Sequence, residues 1–438
     1  MVTACAVLPR SPLLRLRVTV KLLSSSMTLL VQKYGGSSLK DPQRIDAVAH
    51  CVAEAARQRP LVVVVSAMGD TTDRLIDLAR QISSHPDRRE IDMLLSTGEQ
   101  VSASLLAMAL HECGCPAISL SGWQAGIRTD NRFNTARIRG IDTDRIQHEL
   151  HNGRAVIVTG FQGMGNESGW EEMTTLGRGG SDATAVALAA GLGDASCEIY
   201  TDVEGIFTSD PRVVPGARKL PAITYEEMLE MAQYGAQVMM PRSIELAQIW
   251  SVPLEVRSSY TAAPGTRIGA SMEFANRVAG IAHQAAIAKV TFVGLADRPG
   301  VAQAIFSALT RRHIPADLIV QNIGHGGRTD LSFTVPEDDL EEALAAAAEV
   351  RGGVDSQHVT SKAGLAKVSV VGAGLASSLE YASIMFGALG THGINIDMIS
   401  TSGIRITCVI EGDRVEEAVR ALHDAFHLGE EQPWNGSA

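Results

Sequence analysis

The chain has 438 residues, which at about 150 residues per domain allows two to four domains and excludes a single small module. Acidic residues outnumber basic ones, 49 to 38, so the net charge of −11 offers no global field for nucleic acid or an anionic membrane, and a small-molecule substrate is expected. The longest run of Leu, Val and Ile, Leu61 to Val65, falls far short of the roughly 20 residues a bilayer span needs, and the composition, 45% hydrophobic with 41 glycines, is that of an ordered, loop-punctuated soluble chain.

Residues 1 to 26 carry Arg10, Arg15, Arg17 and Lys21, no acidic residue, and end at Ser24-Ser25-Ser26. That is the composition of an organelle transit peptide. A start placed too early is the favoured reading, because Met27 opens directly onto a strand-like run, Thr28 to Gln32. The cysteines, at 5, 51, 113, 115, 197 and 408, form no disulfide scaffold. They are read as buried thiols in a reducing cytoplasm. No metal site is expected, since Cys113-Gly114-Cys115 lacks a second pair.

From residue 28 to about 260, short aliphatic strands alternate with helix-period segments. A strand leads into Lys33-Tyr34-Gly35-Gly36-Ser37-Ser38, and Asp41 with Pro42 announces a helix. Strands follow at Leu61 to Ser66, Ala117 to Leu120, Ala155 to Thr159 and Glu198 to Thr201, with a helical stretch from Glu90 to Cys113 and an alanine-rich helix from Ala183 to Ala190. The pattern predicts an α/β domain with a mainly parallel sheet. Turn residues around Ala263-Pro264-Gly265-Thr266 place its end near residue 270.

Beyond that point the chain repeats itself. Lys289, Val290 and Gly294 recur as Lys367, Val368 and Gly372, and after a two-residue slip Ala308-Leu309, Ile314, Asp317 and Ile319 recur at 388-389, 394, 397 and 399. Each copy reads strand, helix, strand, strand, helix, strand, which suits a pair of ferredoxin-like units binding ligands between subunits.

Two glycine loops carry the chemistry. The Lys33 to Ser38 loop joins a strand to a helix, where backbone N–H groups converge on phosphate oxygens and Lys33 supplies a charge; an ordinary tight turn is the alternative. It is not a Walker A loop. The second, Thr174 to Asp182, offers Arg178 as a clamp for a carboxylate and Ser181 or Asp182 as helix cap. Two anion-receptive loops suggest a nucleotide and a carboxylic acid, hence a transferase. Gly372-Ala373-Gly374-Leu375-Ala376-Ser377 is a decoy for a dinucleotide fingerprint, ending in serine inside the repeat.

These loops, with Ser66-Ala67-Met68-Gly69-Asp70-Thr71-Thr72, Ser96-Thr97-Gly98-Glu99 and the stretch Tyr200 to Arg212, resemble aspartate kinase of the amino-acid kinase superfamily, from about 28 to 428. The resemblance implies a carbamate-kinase-like catalytic domain over 27–270 and two ferredoxin-like ACT units at 278–350 and 364–428. It implies ATP-dependent phosphorylation of the β-carboxylate of L-aspartate, the first step toward lysine, threonine and methionine, with magnesium carried mainly by ATP. Lys33, Arg178 and Asp182 would be catalytic. Lys33, Tyr34, Gly35, Gly36, Ser66, Thr201, Asp202 and Phe207, Thr208, Ser209, Asp210, Pro211 and Arg212 would hold the nucleotide, with the Gly35 and Gly36 N–H groups donating. Thr72, Glu99, Arg178, Gly179, Gly180 and Ser181 would hold aspartate, Arg178 taking the α-carboxylate and Glu99 the ammonium group. Threonine, lysine or both would bind at Asp297, Gly300, Ala302 and Gln321 of the first ACT unit with Asn395 and Ile396 of the second. Binding across two chains would then require a homodimer or an α2β2-type oligomer.

Three features depart from that family. Gln237 stands where a lysine is usual, Ser378-Leu379-Glu380 replaces a Pro-Gly turn, and Gly403 replaces a common glutamate. The alternatives are another amino-acid kinase, acting on glutamate, acetylglutamate or a nucleotide, or a weakly active amino-acid-sensing regulatory subunit. Met272-Glu273, just before the repeat, is a candidate internal start.

Overall fold

The structure, a computed structural model, describes residues 28–236, 238–270, 278–323, 327–377 and 379–430. Residues 1 to 26, Gln237, Met272-Glu273 and Ser378 lie outside the described residues. The chain divides into two compact units, one built from the chain up to Glu204 with Arg242–Ala270, the other from Gly205–Pro241 with the chain after Ala270.

In the first unit the sheet order is Thr266–Gly269, Leu254–Ser258, Ser196–Thr201, Leu30–Tyr34, Leu61–Val65, Ala155–Thr159, Ala117–Leu120. All neighbours are parallel except the first pair. Every residue of Leu61–Val65 is buried, as a parallel strand covered on both faces requires. Helix Pro42–Gln58 starts where the Asp41 carboxylate accepts the Arg44 N–H at 2.8 Å, with Pro42 at its first turn. Its inner face packs with helix Arg88–Glu112 on the sheet through Ile45, Val48, Val52, Leu106 and Leu110. Arg88–Glu112 has 25 residues and is apolar enough to cross a membrane, yet half of its apolar window is buried, and Asp92 and Glu99 on the helix are buried too, so it is a core helix. A smaller sheet orders Ile138–Ile141, Ile127–Thr129, Gln162–Gly165 and Glu172–Thr175.

Helix Gly180–Leu192 is buried almost all round, longer than the expected Ala183 to Ala190. Neither Ser181 nor Asp182 caps it: the N-cap is Gly179 at φ 69°, because Ser181 is packed beneath Gly160 and Asp182 is turned to Lys33. The cysteines also differ from expectation. Cys197 and Cys408 are buried, Cys113 and Cys115 half-buried and Cys51 exposed, all as free thiols.

In the second unit one sheet runs Asp317–Ile323, Arg328–Pro336, Gly280–Ala296, His358–Val371, Arg405–Glu411, Met398–Ser402, all antiparallel. Helices Val301–Arg311 and Leu340–Val350 serve the first copy of the repeat, Glu380–Thr391 and Val415–Ala425 the second. Each copy was expected to end on its own strand. The second instead ends on helix Val415–Ala425, and its closing strand is Gly280–Gln284, which pairs with Lys367–Val371. Two long strands thus serve both copies, and the division falls at the register shift between Gln284 and Ile287, where Ala286 takes φ 54°. Ile281 accordingly belongs to the core of the second copy.

The repeated Lys and Asp exchange partners. Lys289 of the first copy meets Asp397 of the second at 3.5 Å, and Lys367 of the second meets Asp317 of the first at 2.9 Å.

Candidate active site

Parallel pairing sets the strand ends level: Tyr34 lies beside Val65 and Tyr200, and Val65 beside Thr159. The loops after these strands therefore emerge along one carboxyl edge of the sheet, where α/β proteins bind ligands. Main-chain bonds stitch that edge, with Gly35 N donating to Tyr200 O (3.2 Å), Ser66 N to Tyr34 O (3.1 Å), Gly69 N to Gly36 O (3.0 Å) and Gly160 N to Val65 O (2.9 Å).

Lys33 is the penultimate residue of its strand, and its Nζ meets Asp182 Oδ1 at 2.6 Å, the side chains only 12% and 8% exposed. A nearly dry ion pair of this kind holds a cation ready at the sheet edge. Gly36 is there for close approach: a Cβ would stand 2.9 Å from Ala67 O and 3.0 Å from Gly69 O. Its neighbour does not serve as expected. The Gly35 N–H is spent on Tyr200 O and is not free to donate to a phosphate. The Tyr34 ring likewise is buried, stacked on Tyr200 at 4.7 Å with its hydroxyl on Gln32, and burial pushes its pKa well up; its side chain is core, not a nucleotide ligand.

Glu99 is 3% exposed. Its Oε1 accepts the Ala67 N–H at 3.1 Å, while Oε2 is buried without a partner among the described residues. Burial pushes its pKa up to about 7, against the opposing pull of the Ala67 hydrogen bond. An oxygen in that state lacks a donor. Arg178 is exposed, Ser181 buried, and Ser66 and Thr72 half-buried; Thr71 opens helix Thr71–Ile82, its hydroxyl donating to Met68 O at 2.6 Å. Thr201 lies half-buried at its strand end beside exposed Asp202, with a side-chain bond of 3.2 Å between them.

Phe207 to Arg212 belong to the second unit. Thr208, expected at the nucleotide, is structural: its hydroxyl meets His423 Nε2 at 3.0 Å and accepts the Arg218 N–H at 2.9 Å. Arg212, its side chain 90% exposed, is bonded to Asp210 (2.7 Å) and holds that carboxyl below its usual range. Ser209 is buried, and Pro211 is exposed.

The effector candidates lie apart. Gly300, at φ 92°, caps helix Val301–Arg311, with Asp297 and Ala302 exposed beside it. Gln321 is exposed on edge strand Asp317–Ile323, whereas Asn395 and Ile396 precede the opposite edge strand, Met398–Ser402. Five inter-strand steps of about 4.8 Å separate those edges by roughly 24 Å.

Residues 28–258 match the amino acid kinase family, and residues 290–350 and 368–426 match the ACT domain. The aspartokinase of Bacillus sp. (strain MGA3) is 49% identical over 405 residues, covering 92% of this chain and 98% of that protein. The chain belongs to the aspartokinase family. Aspartokinase 2 of Bacillus subtilis is 47% identical over 405 residues, 92% of this chain and 98% of that one. Among solved structures, E. coli aspartokinase III in complex with aspartate and ADP superposes with a TM-score of 0.76 at 26% identity, covering 91% of this chain and all of that one (100%). An aspartate kinase from Synechocystis is 43% identical, with a TM-score of 0.52 over 94% of this chain and 71% of that one.

In this aspartokinase-family chain, four residues around the loops escaped the sequence reading. Gly160 lets the edge close over the second loop, since a Cβ would stand 2.7 Å from Ser181 Oγ. Phe161 takes φ 69°, costly for an aromatic residue, and is held by Thr184 Oγ1 on its N–H (3.2 Å) and Leu176 N on its carbonyl (2.8 Å). Gln162 and Asp92 are fully buried, Gln162 donating to Ser96 O at 2.9 Å. Asp92, Ser96 and Glu99 repeat at helical spacing on one face, a polar stripe inside an apolar helix that could have exposed them.

Proposed function

We propose that the chain transfers the γ-phosphoryl group of ATP to the β-carboxylate of L-aspartate, giving 4-phospho-L-aspartate. The observation that carries this is the dry Lys33–Asp182 pair at the carboxyl edge, with the unpartnered Glu99 oxygen on the same unit. Phosphoryl transfer needs position and charge neutralisation more than a covalent group. Lys33 neutralises the moving phosphoryl group, Gly36 N–H donates to it, and Asp182 fixes the lysine. Ser66, Thr201 and Asp202 hold the nucleotide. The substrate's ammonium group donates to Glu99 Oε2, Arg178 folds over its α-carboxylate, and Thr72, Gly179, Gly180 and Ser181 line its seat. Magnesium would be carried mainly by nucleotide oxygens.

The relatives' ligands bear on control. E. coli aspartokinase III has also been solved with lysine and aspartate, at a TM-score of 0.72 and 26% identity. Here threonine, lysine or both bind at the ACT units. Because Gln321 and Asn395 flank opposite sheet edges, one amino acid reaches both only when two chains meet edge to edge, as a homodimer or within an α2β2-type assembly. This activity would place the chain in the cytoplasm, at the head of lysine, threonine and methionine synthesis.

The test is ADP release by the purified chain, with hydroxylamine trapping the acyl phosphate. Aspartate should support both signals. Glutamate or N-acetylglutamate supporting both signals equally, or a nucleoside monophosphate supporting ADP release with no hydroxamate, would make it another member of the superfamily, and silence with every acceptor would make it a regulatory subunit.

A further inference from the structure

The loop that carries Arg178 is braced from two sides by groups outside the proposed substrate contacts. On one side stands Asp92, fully buried in helix Arg88–Glu112. Its two oxygens accept four donors: Asn134 N (3.1 and 3.0 Å), Asn134 Nδ2 (2.6 Å), Thr175 N (2.9 Å) and Thr175 Oγ1 (2.5 Å). On the other side the Arg242 guanidinium spans two carbonyls, Leu176 O and Ala136 O, each at 2.8 Å. The segments so held are themselves joined, Ala136 N donating to Thr175 O at 2.9 Å. Asn134 sits at φ 66°, and its carbonyl lies where a Cβ on Gly177 would come within 3.0 Å. Gly177 in turn precedes Arg178 directly.

A packed core could have filled the Asp92 site with an aliphatic side chain. A carboxyl there costs desolvation that only complete hydrogen bonding offsets, and the donors it collects all belong to the two segments that set where residues 177 and 178 begin. From the same helix, two turns on, Glu99 reaches Ala67 at the sheet edge. One rigid helix thereby fixes both the ammonium seat and the root of the carboxylate clamp.

We propose that Asp92 is a positioning residue for substrate selection: it sets the distance between Arg178 and Glu99, and so makes the site demand an α-carboxylate beside an α-ammonium group. This rests on the reading of Arg178 as the α-carboxylate clamp.

The experiment compares kcat/KM for L-aspartate with that for its α-amide, which keeps the β-carboxylate and the ammonium group but has no α-carboxylate. In Asp92→Asn, an N–H₂ faces donors that need acceptors, and the preference for L-aspartate should fall about tenfold or more, since misplacement of a positioning group by about 1 Å can cost 10²-fold. The KM for ATP should stay within about twofold of wild type, because the nucleotide residues proposed for this unit are not bonded to Asp92. Should Asp92→Asn not fold, Thr175→Val, which removes one of the four donors, reads the same ratio and should show a smaller drop in the same direction. An unchanged ratio in whichever variant folds overturns the proposal. So does a parallel loss of activity, ATP affinity and thermal stability, which is what a merely structural carboxyl would produce. Arg178→Ala separates the two readings: if it abolishes the preference while Asp92→Asn does not, only the positioning role fails, and if it leaves the preference intact, the clamp reading fails with it.

Discussion

Glu99 and Lys33 are the residues whose chemistry is most exposed to test. Burial lifts the Glu99 carboxyl from 4.5 to about 7, so the native chain keeps a proton that the unfolded chain releases. The stability this confers is fully present below about pH 4.5 and is lost as pH rises through about 7. A shift of that size is worth about 3 kcal/mol. Glu99→Gln holds the neutral form at every pH, so its Tm relative to wild type should climb between pH 5 and 8. A difference that stays flat would mean Glu99 is ionised throughout. The same variant should raise the KM for aspartate and leave that for ATP in place. Lys33→Met removes the charge proposed to face the phosphoryl group and should lower kcat about 10²- to 10³-fold. It also strands the Asp182 carboxyl, costing about 3 to 5 kcal/mol. Adding Asp182→Asn should restore the Tm but not the turnover, and recovery of both would deny Lys33 a chemical role.

At the scale of elements, the two tests concern close approach and shared strands. Gly36→Ala forces a methyl group against Ala67 O and Gly69 O, so the Ser66–Asp70 loop must retreat. Nucleotide affinity should drop more than overall stability, measured by ATP titration against thermal unfolding. Ile281 lies before the first copy of the repeat yet is 1% exposed in the core of the second. Ile281→Ala should cost about 2 to 5 kcal/mol, and hydrogen exchange should quicken in helices Glu380–Thr391 and Val415–Ala425 before Val301–Arg311 and Leu340–Val350. Uniform quickening would show that the long strands unfold as one. The repeat itself was legible because its Lys, Val, Gly and Asp positions recur. The missing sixth strand was not, since a 17-residue strand reads as one element whether it serves one core or two.

For the whole molecule, the question is association. The two edge strands of the second unit present unpaired backbone, and the effector candidates flank them. Threonine or lysine binding should therefore steepen with protein concentration and shift sedimentation toward a dimer or larger species. Tight binding by a strictly monomeric form would place the effector site within one chain. The reciprocal pairs Lys289–Asp397 and Lys367–Asp317 cross between the copies, so Asp317→Asn should loosen one copy against the other and weaken inhibition more than basal turnover.

Composition, strand–helix alternation and the repeat by themselves determined the α/β domain, its mainly parallel sheet and the paired units after it, because those depend on local periodicity. The loops at Lys33 and Thr174 also named the candidate site, since glycines and caps act on their immediate neighbours. What only the tertiary structure decided depends on separations of tens to hundreds of residues. Tyr200 takes the Gly35 N–H, Ser181 lies under Gly160, and Thr208 is claimed by His423. Taken alone, Asp92 reads as a surface carboxylate, and only its spacing with Ser96 and Glu99 sets it apart. It becomes a brace because folding brings Asn134 and Thr175, 42 and 83 residues away, to the same buried oxygens, and burial without water makes those bonds obligatory.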